Sequence, residues 1–85
     1  MKDLIGKTVY YMFFEDELSV SRVKLTYRVP EEQRDLEDED EYRGDNETMK
    51  HIYGDPLIDA STLYVSDMYF TDRSLMKGIF KLLQK

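Results

Sequence analysis

Two consecutive strand-type segments joined by a few acidic residues do most to restrict what this 85-residue chain can fold into. Thr8 to Phe14 (Thr-Val-Tyr-Tyr-Met-Phe-Phe) is dense in β-branched and aromatic side chains, with apolar groups at both alternating sets of positions, the pattern of a buried strand. After Glu15-Asp16-Glu17, the residues Ser19 to Val29 alternate. Ser21, Val23, Leu25, Tyr27 and Val29 fall on one face, and Arg22, Lys24, Thr26 and Arg28 on the other. A period of two marks a half-exposed strand, and so short a link makes the pair an antiparallel hairpin. Pro30 ends the second strand, because proline lacks the ladder donor and fixes its own φ.

Beyond Pro30 the chain changes character. From Glu31 to Glu47 it carries ten acids against Arg34 and Arg43, a local net of −8 in a chain of net −6, so the remainder is +2. Like charges in sequence repel and bury little, and only Leu36 and Tyr42 offer apolar anchors, so residues 31–47 are expected as a mobile acidic loop between strands. Gly44-Asp45-Asn46 signals a turn. Thr48 to Tyr53 reads as a third strand, ended by Gly54-Asp55-Pro56, with a weaker element at Leu57-Ile58 and a further strand at Leu63 to Phe70.

The last segment is a helix over 72–83. Thr71 can cap it, Asp72 sits at the positive dipole end, and Leu75, Met76, Ile79, Phe80, Leu82 and Leu83 recur at three- and four-residue spacing opposite Arg73, Lys77 and Lys81. Gly78 inside it costs about 1 kcal/mol against alanine, which close packing on a strand would explain. The expected fold is therefore α+β, mainly β: a small barrel or strongly bent antiparallel sheet of four to five strands, closed by a C-terminal amphipathic helix.

At this length residues 1–85 form one domain with a thin core. The absence of cysteine excludes disulfides, thiolate metal sites and a cysteine nucleophile. There is no apolar signal-type N-terminal run, and the longest apolar stretch, Val9 to Phe14, is far short of the roughly 20 residues that span a bilayer, so a cytoplasmic protein is expected.

Gly6-Lys7-Thr8-Val9-Tyr10-Tyr11 opens the hairpin, and Leu63-Tyr64-Val65 through Tyr69-Phe70-Thr71 leads into a Leu/Ile-striped helix. In this order the two ends of the chain, roughly 6–29 and 63–83, resemble the SH3-like small barrels common among short phage and prophage proteins. The resemblance implies a barrel fold and a phage-type origin, with residence in the host cytoplasm, and no particular activity.

Candidate chemistry is sparse. His51 is the sole histidine, and only Asp55 and Asp59 lie near it in sequence, which does not make a catalytic arrangement. The carboxylate run fails the calcium-loop pattern, because counting back from Gly44 places Glu39, Glu41 and Arg43 at the first, third and fifth positions. The four glycines are too dispersed to cradle phosphate, and the acidic run opposes direct nucleic-acid binding. The basic row Arg22, Lys24 and Arg28 is expected to screen that run.

Neither a cofactor nor an enzymatic role is expected. Asp35, Glu37, Asp38, Glu39, Asp40 and Glu41, with Tyr42 as an aromatic anchor, form the candidate partner-binding set. Such charge density resembles a nucleic-acid backbone and suits a basic, nucleic-acid-binding host or defence protein that the chain would inhibit. The alternative is a structural, self-associating protein that uses exposed helix residues such as Phe80 and Leu83 or an unpaired strand edge, the acidic loop serving only solubility.

Overall fold

The computed structural model describes residues 3–14, 17–34, 36, 38–57 and 60–84. β1 (Thr8–Phe14) and β2 (Leu18–Arg28) form the expected hairpin, in a register that runs from Thr8 opposite Lys24 to Phe14 opposite Leu18. On its other edge β2 pairs with β4 (Lys50–Gly54) along its first half and with β3 (Glu41–Gly44) along its second. β5 (Leu63–Tyr64) extends the sheet beyond β3, and β6 (Met68–Tyr69) pairs with β1. Among the described residues the result is a six-stranded antiparallel sheet that does not close on itself, with one α-helix, α1 (Asp72–Leu83).

The period of two divides the hairpin into two faces. Val9, Tyr11, Val23 and Leu25 point to one side and form the core with Tyr42, Ala60, Leu63 and Met68. The opposite face carries Thr8, Tyr10, Met12 and Phe14 on β1, and Leu18, Val20, Arg22 and Lys24 on β2, since cross-strand partners share a face. α1 covers only the Met12 and Val20 end of this second face.

Three elements depart from expectation. The strand foreseen over Leu63 to Phe70 is broken by a 3₁₀ turn at Val65–Asp67 into β5 and β6, which serve opposite ends of the sheet. Residues 41–44, placed in the acidic loop by their charge, are instead a strand within the sheet. Tyr27 is 41% exposed, because an irregularity in the β2–β3 ladder between Leu25 and Tyr27 breaks the alternation that would have put it with Leu25. At the weak element foreseen near 57–58, Leu57 packs on the core outside any strand, and Ile58 lies outside the described residues.

The helix runs over the expected residues. Thr71 accepts from the Ser74 amide at 3.0 Å, and the Ser74 hydroxyl accepts from the Thr71 amide at 3.2 Å, a reciprocal cap made with serine where glutamate is usual. Gly78 is the helix residue buried against the sheet. A Cβ there would lie 2.7 Å from the Tyr69 ring, which accounts for a glycine in mid-helix.

Candidate functional site

The fold disperses the members of the acidic segment. Asp40 is drawn inward: its carboxylate takes Arg34 at 3.0 Å and Arg28 at 3.2 Å. Glu39 is half-buried and accepts the Ser66 amide at 3.0 Å. Glu41 is buried on β3 opposite Tyr64, with Oε1 lacking a hydrogen-bond partner among the described residues. Of the seven residues predicted to meet a partner, Asp38 alone is exposed among those described, while Asp35 and Glu37 lie outside the described residues.

Tyr42 corrects the expectation most clearly. It is 2% exposed and belongs to the core, with its hydroxyl accepting from the Leu4 amide at 3.3 Å. An aromatic ring so buried is a packing element and cannot anchor a partner. The screening expected of the basic row is met by Arg28, which pairs with Asp40; Arg22 and Lys24 make no ion pair among the described residues.

A second candidate is the Tyr11–Asp67 pair beside an open cleft. The Tyr11 hydroxyl donates to Asp67 Oδ2 at 3.2 Å and accepts from the Tyr64 amide at 3.3 Å. Both hydroxyl functions are thereby used to tie β1 to the β5–β6 turn, which makes the pair a structural clasp. Burial raises the Asp67 carboxyl above its ordinary value, so the folded state holds a proton that the unfolded chain releases. This site's contribution to stability is therefore largest in acid, and it declines as pH rises from the ordinary carboxylate value through the raised folded one. Asp67→Asn keeps an acceptor for Tyr11 without a charge to bury. Urea unfolding should find it at least as stable as wild type at pH 7, with any advantage gone below about pH 4; a loss at pH 7 that acid relieves would contradict this.

The third candidate is apolar. Leu18 and Val20 of β2, Ile52 and Tyr53 of β4, and Leu75, Ile79 and Leu83 of α1 line an open groove of about 300 Å³. Tyr53 is 61% and Leu83 73% exposed. The reason lies in the helix phase. Gly78, at the border of the apolar stripe, is the residue pressed on the sheet, so the stripe is rotated toward β4 and outward. Met76 and Phe80 pass beyond the groove and stand in solvent as a ridge beside it. β4 adds to the openness, since Lys50, His51, Ile52 and Tyr53 are all exposed and no described strand pairs with its outer edge.

Phe80, Leu83 and an unpaired edge were legible in the sequence; Ile52 and Tyr53 were not, because reading Thr48 to Tyr53 as a strand does not say that both of its faces are exposed. His51 is exposed on β4 without a hydrogen-bond partner among the described residues, and Asp59 lies outside them. Among the described residues no group of three or more His, Asp or Glu is gathered so as to hold a metal ion, and no helix is long and apolar enough to cross a membrane. The chain matches no family model, no curated protein and no solved structure.

Proposed function

We propose that this chain is a non-enzymatic protein-binding module that associates with a second copy of itself through α1 and the groove between α1 and β4. The observation that carries the reading is a ridge beside a groove on one helix: Met76 and Phe80 project next to the cleft formed by Leu75, Ile79, Leu83, Ile52 and Tyr53. A two-fold axis places each copy's ridge in the other's groove, so a single surface complements itself. Charge follows the same arrangement. Arg73 and Lys77 flank the ridge along the helix, whereas Glu17 and Asp55 adjoin the strand ends that floor the groove. A domain this small hides a limited fraction of its surface alone, and covering this stripe is the most direct way to bury more.

Sedimentation velocity tests the proposal. Wild type is expected to shift from monomer to dimer with rising concentration, and Phe80→Glu, an exposed helix position, to remain monomeric with unchanged far-ultraviolet circular dichroism. A wild type that stays monomeric throughout, or a Phe80→Glu variant that associates as well as wild type, overturns it.

A second reading has its own support. Glu31, Glu32 and Asp38 are exposed and have no cation within ion-pair distance among the described residues, so an anionic surface remains for a basic, nucleic-acid-binding protein. The likeness of the chain ends to phage-type SH3-like barrels, which serve as binding platforms, is compatible with either partner. Salt-sensitive capture of such a protein, weakened by Glu31→Gln/Glu32→Gln/Asp38→Asn, would favour it; unchanged affinity in that variant would remove it.

A further inference from the structure

The sheet face that α1 leaves uncovered holds an arrangement the self-association does not use. Arg22 on β2 lies directly opposite Lys50 on β4, and Lys24, two residues along, lies opposite Thr8 on β1. These four residues and Thr48 line an open depression of about 270 Å³. Three cations thus converge on one side of the sheet, and none has a carboxylate within ion-pair distance among the described residues. The chain has more acids than bases, and elsewhere it uses two arginines on a single aspartate.

Like charges set directly opposite across a strand pair are destabilising. Two acids beside them are engaged elsewhere. Asp45 is held in its own turn, accepting from the Glu47 amide and the Thr48 hydroxyl at 3.0 Å each. Asp72 accepts from the Tyr10 hydroxyl, a bond that holds that hydroxyl above its ordinary value. The same bond steadies the Tyr10 ring, over which the Arg22 guanidinium sits 5.8 Å from the centroid. Arg22 is therefore held in place without being neutralised, and the Thr8 hydroxyl makes no hydrogen bond among the described residues.

From this geometry we infer that Arg22, Lys24, Lys50 and Thr8 form a binding site for the phosphoryl group of a small phosphorylated ligand. A phosphoryl group presents up to two negative charges and several acceptor oxygens in a compact volume, which suits two ammonium groups, a guanidinium fork and a hydroxyl better than a single carboxylate would. The depression lies at the small end of ligand sites, sized for one phosphate with a modest substituent. Its residues are on the sheet face, apart from the α1 groove, so the site can be read whether or not the chain associates.

Amide chemical shifts followed while titrating inorganic phosphate, ADP and a short single-stranded DNA, at constant ionic strength, test this. The expected result is saturable movement of the Thr8, Arg22, Lys24 and Lys50 amides with phosphate and ADP, absent with chloride. Affinity should fall about tenfold or more in Lys24→Gln and again in Lys24→Gln/Lys50→Gln. Tighter binding of ADP than of phosphate assigns the ligand to nucleotide-like molecules, and equal binding assigns it to the free anion. In anion-free buffer the double variant should unfold at a temperature no lower than wild type, because a repulsion has been removed. Non-saturable shifts, or equal shifts in the double variant, overturn the site. DNA binding that far exceeds both small probes and moves residues beyond it overturns the small-ligand assignment.

Discussion

Tyr42→Ala is expected to lose about 3–5 kcal/mol of folding stability, the usual cost of truncating a buried ring. Chains of this length have roughly 4–13 kcal/mol in total. Tyr42 sits in β3 between an arginine and a buried glutamate, and its ring packs with Val23, Leu25 and Leu63, all three wholly inaccessible to solvent. A surface anchor would behave differently, losing partner affinity while the fold held. Tyr42→Phe separates the terms: it keeps the ring and loses only the acceptor for the Leu4 amide, so it should cost about 1 kcal/mol. Equilibrium urea unfolding of the two variants checks both figures. A Tyr42→Ala protein as stable as wild type would mean that β3 does not lie in the core.

The second large effect falls on β4. Gly54 has a φ of +72°, and a Cβ there would lie 1.7 Å from the backbone carbonyl oxygen of Leu18. Neither atom is at the end of a flexible side chain. Gly54→Ala must therefore either leave the left-handed region or push β4 away from β2, and a cost of at least about 2 kcal/mol is expected. The Ser19 hydroxyl bond to the Asp55 carbonyl, 2.6 Å in the native fold, would be lost with it. Since Leu18, Val20, Ile52 and Tyr53 floor the groove, association should fall together with stability. Hydrogen exchange should show the β4 amides opening before those of β1; protection equal to wild type at β4 would contradict this.

These cases show which parts of the fold could be read from the residues. β1 and α1 carry their periodicity in their own side chains, and the bounds of both follow from it; the glycine in mid-helix pointed to the close contact at Gly78. β3 was hidden because charge dominates its surroundings. A four-residue strand has room for one core side chain, Tyr42, and Glu41 is buried by its neighbours in the sheet rather than by its own hydropathy. Gly44, read as a turn signal, has a second reason to be glycine, since a Cβ there would meet Val23 Cγ1 at 2.1 Å. Such an approach depends on a residue 21 positions away, and no local pattern contains it.

The candidate sites divide similarly. An acidic run looks continuous in sequence, but a strand that enters the sheet at Glu41 splits it, and Arg28 and Arg34 take Asp40 from the surface. The apolar stripe of α1 was legible; that it is turned away from the sheet was not, because the phase depends on Gly78 meeting Tyr69. Lys50 joins Arg22 only through the β2–β4 register, which is why the basic cluster did not stand out along the chain.

Nuclear Overhauser contacts between isotopically labelled and unlabelled copies, mixed at a concentration where the chain associates, test the proposed surface most directly. Cross-copy contacts from the Phe80 ring to Ile52, Tyr53 or Ile79 are the predicted result. Cross-copy contacts confined to other surfaces, with none from Phe80, would contradict it.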